Sequence, residues 1–286
     1  MTQIAPSNNH QTDLEAFRTL LGKSIKLDPV RHDDALLLRF LRARKYDLQK
    51  TERMFLDCEQ WRASYNVESV VQTFAYTESF QVNQVYPRFY HKTDRLGRPV
   101  YIERLHTLDV KRLFEVTNQD RVVMKHVREY EKLMRYRLPA CSAKVGHPLE
   151  QGCSIIDLKG VPLSSFNQVR KVLQSLSAVA QNYYPETLGR MYIINAPTLF
   201  TTIWGIIKSM LDENTVAKIS VIGSNYAKTL LEDIEPENLP KFLGGDCNCP
   251  GGCDNADVGP WNDGSVAGFP IEFWESFKDR DLQQQK

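Results

Sequence analysis

The sequence predicts an α/β fold: a helical N-terminal region followed by a domain built on a mostly parallel sheet. Three observations predict it. Ahead of Tyr86 the apolar residues recur at helical spacing, whereas from Gly152 onward strand and helix signals alternate. Met191–Asn195 and Lys218–Ile222 are short runs of β-forming apolar residues bounded by Gly, Pro and polar residues, as strands buried on both faces are. Such alternation requires right-handed crossovers, and therefore neighbouring parallel strands.

A chain of 286 residues with 42% hydrophobic content suffices for one large domain with an accessory region. A formal net charge of +1 excludes a general nucleic-acid binder, so any anion recognition is local. The start, Met1 to His10, has no apolar leader, no run is long enough to span a bilayer, and no Asn-X-Ser/Thr acceptor occurs. The six cysteines are dispersed and then clustered, unlike a secreted disulfide framework, so a cytoplasmic protein with reduced thiols is expected.

Residues 1–11 are polar and read as a disordered tail. A first helix is expected from Thr12 or Asp13, carrying Leu14, Phe17, Leu20 and Leu21. Leu21-Gly22-Lys23-Ser24 is not a phosphate-cradling loop, because the glycine required five residues before Gly22 is Phe17. Asp33–Lys45 begins with acids and ends with bases, as a helix dipole favours, with Leu37, Phe40 and Leu41 inward. Arg39, Arg42, Arg44 and Lys45 form the densest positive cluster and read, on sequence alone, as a solvated face. A helix follows over Leu48–Tyr65, with Met54, Cys58 and Trp61 inward, then a polar stretch from Val67 to Ser79.

Phe89–Lys92 and Pro99–Glu103 read as strands joined by the Asp94–Arg98 turn. Asn118–Arg137 is a long helix with Val122, Val123, Val127, Tyr130, Leu133 and Met134 inward. Gly152–Leu158 is the next strand, and Ser164 or Ser165 caps a helix running to Asn182. Tyr226–Asp233 supplies the last helix, after which Trp261, Phe269 and Phe273 are expected to dock the Gly- and Asp-rich end.

Between the two buried strands lies an unusual helix. Leu199, Ile203, Ile206 and Met210 form one apolar stripe, and Phe200, Trp204, Ile207 and Leu211 another, together covering most of its circumference. Two readings fit: a core helix, or a helix that covers an apolar ligand on one side and meets a membrane on the other. Gly205 weakens it, which suits a mobile element and close packing alike.

Three separated blocks, Leu37–Asp47, Tyr183–Glu186 with Met191–Pro197, and Glu237–Gly245, resemble the CRAL-TRIO lipid-transfer family, in particular its fungal phosphatidylinositol/phosphatidylcholine-transferring members of the secretory pathway. Tyr90–Asp94 with Gly97–Tyr101, Tyr136–Ser142 and Asp157–Gly160 add to the match. The resemblance implies a helical N-terminal region over residues 12–79, a lipid-binding domain over 80–248 whose sheet floors an apolar cavity, and a docking extension over 249–286. It makes Phe200, Ile203, Trp204, Ile207, Met210 and Leu211 part of a gate helix. Carried over residue by residue, it assigns the phosphatidylinositol headgroup to Arg44, Lys45, Glu186, Thr215 and Lys218. The phosphatidylcholine headgroup falls on Tyr90, Tyr101, Gly152 and Ser154. Gly152 stands where the family pattern has Ser, which leaves the second lipid open. Lys208-Ser209-Met210 stands where relatives often have Lys-Pro-Phe.

The implied activity is exchange of phosphatidylinositol with a second lipid at Golgi or endosomal membranes, through transient contact with the membrane surface. A phosphatidylinositol kinase is a family-level partner. The competing reading is a carrier of another hydrophobic ligand, such as a sterol, for which the charges at Arg44, Glu186 and Lys218 would serve no purpose. No catalysis and no cofactor are expected: Gly-X-Ser-X-Gly is absent and no histidine pair has metal spacing on a helix. Cys247, Cys249 and Cys253 would need a fourth donor, Asp246, Asp254 or one from another chain, so no metal is expected there.

Overall fold

Leu14, Phe17 and Leu21, then Leu37, Phe40 and Leu41, then Met54, Phe55 and Cys58 recur at helical spacing, and burying the three stripes against one another makes a single core. They belong to α1 (Asn8–Leu21), α2 (Asp34–Ala43) and α3 (Leu48–Tyr65). The computed structural model describes residues 8–106, 108–161, 166–198, 200–209, 211 and 213–271, with backbone alone at 8, 9, 166–171, 173, 201 and 202. Asp33 and Asp47 cap α2 and α3, their carboxylates accepting the N–H of Leu36 at 2.7 Å and of Lys50 at 3.0 Å. Phe55 lies edge-on to Phe17 and Phe40, with ring centres 5.9 and 5.0 Å apart.

Two expectations for this region are corrected. α1 begins at Asn8 rather than at Thr12 or Asp13, and the added turn stacks His10 on Tyr46 at 4.6 Å. Arg39 is 5% exposed and engaged with other groups, so it does not belong to a solvated face. The stretch from Val67 to Ser79 is also more ordered than its polarity suggests. It contains α4 (Val67–Thr73) and the start of α5 (Ser79–Val85), which bury Val67, Val70, Val71, Val82 and Val85.

The chain divides into two compact units. One runs through Ser69 and includes Ser177–Glu186; the other holds Val70–Leu176 and the chain from Thr187 onward. The larger unit is built on a five-stranded sheet in the order β1 (Arg88–Thr93), β2 (Pro99–Arg104), β3 (Gly152–Asp157), β4 (Leu188–Ile194), β5 (Ile219–Val221). β1 pairs antiparallel with β2 through the Asp94 turn, and all later pairs are parallel. In that turn Gly97 takes φ +81°, and a β-carbon there would lie 2.3 Å from Val145 Cγ1, so both space and conformation call for glycine.

The crossovers carry α6 (Val110–Val116), α7 (Gln119–Lys132), a π-helical turn at Leu133–Arg137 and α8 (Leu138–Val145), then α9 (Phe166–Tyr183), then α10 (Phe200–Lys208) and α11 (Glu213–Ala217). The single long helix expected over Asn118–Arg137 is thus α7 plus the π turn. α12 (Ala227–Asp233) closes one face of the sheet. There Phe89, Val100, Ile102, Cys153, Ile155, Tyr192 and Ile194 pack on Leu230, Ile234, Leu239 and Leu243. A short α13 (Cys253–Ala256) follows, beyond the helix expected to be last, and Trp261 is fully buried. The cap expected at Ser164 or Ser165, with Leu199, Met210 and Phe273, lies outside the described residues.

Candidate functional site

The period of two along each strand sends alternate residues to the second face of the sheet. Tyr90, Tyr101, Ser154, Met191 and Ile219 are partners in successive pairs and form one row across all five strands. Gly152 lies on the same face two residues before Ser154, and Arg88, Glu103, Ile156, Ile193 and Val221 form the adjoining row. On β3, the central strand, Cys153, Ile155 and Asp157 are buried, yet Ser154 and Ile156 remain partly accessible. The Ser154 hydroxyl makes no hydrogen bond to another residue among those described. A central strand accessible on one face borders an interior space.

Tyr101, His126 and Tyr130 keep partial accessibility while burial dominates their titration. Desolvation holds Tyr101 far above its ordinary value, lifts Tyr130 to about 12 and lowers His126 to about 3.

α10 lies over this face. Phe200, Ile203, Trp204 and Ile207 pack with Ile156, Leu158, Met191, Ile193 and Ile219, whereas Gly205, Ile206, Lys208 and Ser209 point outward. Ile206 is 47% exposed. A β-carbon at Gly205 would meet nothing within 4 Å, so close packing is not the reason for that glycine. Leu211, beyond the helix, is partly buried.

One end of the face is polar. The hydroxyls of Tyr86 and Tyr101 both donate to the Glu103 carboxylate, the latter at 3.0 Å, and the Arg88 guanidinium lies over the Tyr86 ring at 4.4 Å. Sequence reasoning passed over Arg88 and Glu103, although both stand two residues from a named tyrosine on the same strand face. Tyr90 is less available than Tyr101, because Arg137 sits on its ring at 3.9 Å. Arg137 in turn pairs with Glu129 at 2.9 Å and with Asp257 at 3.3 Å. Lys125, Lys132, Arg137 and Arg128 together hold the Glu129 carboxyl well below the usual carboxylate range, against the opposing effect of burial.

In the helical unit, Arg44 and Lys45 directly follow α2, and Glu186 follows Pro185. Lys45 and Glu186 adopt left-handed φ of 50° and 57°, a conformation that costs a residue with a β-carbon about 1 kcal/mol or more. Strain of that kind persists where the surroundings fix it, and it falls here on two assigned headgroup positions. Arg44, Lys50, Arg53, Asp57, Asn182 and Tyr183 border a cleft of about 500 Å³. Three cations against one carboxylate suit an anionic ligand. Trp61 forms a nearby wall, stacked on Tyr183 at 3.8 Å. In the larger unit, Thr215 lies in α11 and Lys218 directly precedes β5. The Lys218 N–H donates to the Thr215 carbonyl at 3.1 Å, and its own carbonyl accepts from Met191 at 2.9 Å. The backbone therefore fixes the two residues beside the sheet row.

The CRAL/TRIO domain matches residues 83–245 and the CRAL/TRIO N-terminal domain matches residues 6–57. The chain belongs to the CRAL-TRIO family. It is 46% identical to the Sec14 cytosolic factor of Schizosaccharomyces pombe, over 90% of this chain and 89% of that protein. Identity to the SEC14 cytosolic factor of Kluyveromyces lactis is 44%, over 95% of this chain and 90% of that one. The Arabidopsis thaliana phosphatidylinositol/phosphatidylcholine transfer protein SFH7 is also 44% identical, over 87% of this chain but 46% of its own length. Among solved structures, Sfh5 superposes with a TM-score of 0.63 at 20% identity, over 78% of this chain and 83% of that one, a likeness of fold.

Proposed function

We propose that the protein exchanges phosphatidylinositol with a second lipid, phosphatidylcholine or another, by holding one molecule at a time in the space between the open sheet face and α10. The observation that carries the reading is the central strand β3, accessible at Ser154 and Ile156 beneath an apolar helix. Relatives named as phosphatidylinositol/phosphatidylcholine transfer proteins support the lipid class. The physical need is clear. At about 0.8 kcal/mol per methylene, carrying two acyl chains of some thirty methylenes through water would cost on the order of 20 kcal/mol, and an apolar lumen removes most of it.

The headgroup reading rests on Arg44, Lys45 and Glu186 of the helical unit and on Thr215 and Lys218 of the larger one. A phosphodiester suits the planar fork of Arg44, with Lys45 and Lys218 adding positive potential. Glu186 accepts from inositol hydroxyls, and Thr215 donates to the phosphate. For the second lipid, Ser154 supplies a hydroxyl, Tyr101 the more open aromatic face, and Gly152 no donor. No step is catalytic, since the difference between membrane and cavity binding suffices to drive exchange. On this reading the protein is cytoplasmic and touches Golgi or endosomal membranes transiently, delivering phosphatidylinositol to a kinase.

The test is vesicle-to-vesicle transfer by Arg44→Ala combined with Thr215→Asp. Phosphatidylinositol transfer should be lost while transfer of the second lipid is largely kept. Loss of both, in a variant with the parent's circular dichroism, would contradict a dedicated headgroup site.

A further inference from the structure

The Cys247–Cys253 segment was left without a fourth donor by the sequence, and the fold supplies one. His91 on β1, 156 residues away from Cys247, brings its Nε2 to 3.4 Å from the Cys247 Sγ. Cys247 Sγ is 3.7 Å from Cys249 Sγ, and the ligand atoms of His91, Cys247, Cys249 and Cys253 all lie within 4.8 Å of one another. From these four side chains we infer a structural zinc site that fastens the C-terminal segment to the edge of the sheet.

Geometry favours the ion over the alternatives. With Zn–S of about 2.3 Å and Zn–N of about 2.0 Å, a tetrahedral shell sets S···S near 3.8 Å and N···S near 3.5 Å. Two of the six edges, at 3.7 and 3.4 Å, match, and all six are within 4.8 Å. A disulfide needs sulfurs about 2.05 Å apart, and all of these cysteines are free thiols. Three thiolates and an imidazole suit zinc and not magnesium or calcium, which take oxygen ligands, and a four-cysteine iron–sulfur centre lacks one thiol. Four protein ligands leave no open position, as in structural rather than catalytic sites.

The backbone is shaped for the task. Cys247 is fixed on both sides, its N–H donating to the Leu239 carbonyl at 3.1 Å and its carbonyl accepting from Lys241 at 2.9 Å. The Cys249 N–H points at the Cys253 sulfur at 3.4 Å. Between them Gly251 and Gly252 take φ of +79° and +93°, which turns the chain tightly enough to return the third thiol. His91 is fully buried, and its Nδ1 has no partner among the described residues.

β1 is an edge strand, and α13, which starts at Cys253, packs on it. The Lys92 N–H donates to the Val258 carbonyl at 2.6 Å, while Asp257 and Trp261 flank Arg137 and Tyr90 further on. A zinc ion at the cluster would hold this segment in place beside Tyr90.

The full-length protein, purified under reducing conditions without chelator, should contain about one zinc per chain by elemental mass spectrometry. After stripping, titration with Co2+ alone should give thiolate-to-cobalt and tetrahedral d–d absorption saturating at one equivalent and displaced by Zn2+. Cys249→Ser and His91→Gln should each weaken cobalt binding at least tenfold, whereas Asp254→Asn should bind as the parent does. Absence of the cobalt bands in reduced, folded parent protein would overturn the proposal. So would a disulfide among the three cysteines in the anaerobically isolated protein. Loss of the bands in Asp254→Asn with retention in His91→Gln would overturn the assignment of His91. The titration of the parent decides the matter even if a variant fails to fold.

Discussion

Gly205→Ala isolates the mobility of the covering helix from its packing. Gly205 faces outward on α10, and an added β-carbon meets nothing within 4 Å, so the change brings no clash. Alanine favours the helix over glycine by about 1 kcal/mol, which lowers the population of the loosened form about fivefold relative to the helix. α10 has nine residues, too few to be stable by themselves, so its helicity depends on the packing of Phe200, Ile203, Trp204 and Ile207. If lipid exchange requires this helix to loosen, the initial rate of phosphatidylinositol transfer between vesicles should fall by up to about fivefold, with the amount of bound lipid unchanged. Hydrogen exchange of the 200–208 amides, measured alongside, should slow by a similar factor. Slower amide exchange with an unaltered transfer rate would refute the reasoning, because the helix would then move rigidly or not gate at all.

Further predictions concern the sheet face and its supports. Gly152→Ser places a β-carbon 3.3 Å from the Pro99 carbonyl, a tight but small adjustment, and restores a hydroxyl on the face of Ser154. If phosphatidylcholine is the second lipid, a hydrogen bond to its charged phosphate worth about 1.5 kcal/mol or more should raise its retention at least about tenfold in competition loading. Glu129→Gln leaves Arg137, Lys125 and Lys132 facing one another and should lower stability by about 3 kcal/mol at neutral pH, read by denaturant unfolding. Because the Glu129 carboxyl is held below its unfolded value, its contribution is complete above about pH 5 and is lost as pH falls through the depressed value. The parent should therefore lose stability on acidification more steeply than Glu129→Gln does.

The sheet was legible because buried strands write short, bounded, β-rich runs, and α3 because its eighteen residues are enough for an apolar stripe to show. α4, α5 and α6 were not anticipated as helices. Each has seven residues, too few for periodicity to emerge, and tertiary burial, of Val71 in α4, Val82 in α5 and Leu113 in α6, makes them helical. One charge was misjudged for a related reason. Arg39 is buried, yet in sequence a buried charge on a helix reads like a solvated one. The candidate second-lipid residues could be placed on one face from strand alternation, but their assignment came from resemblance alone. The partnership of His91 with three distant cysteines had no local signal, since β1 and the cysteine segment meet only through tertiary packing.

The most direct test of lipid carriage is mass spectrometry of the lipids that co-purify with the full-length protein, intact and after extraction. The account predicts phosphatidylinositol, accompanied by phosphatidylcholine or another second lipid, at up to one lipid per chain. A sterol alone would contradict it.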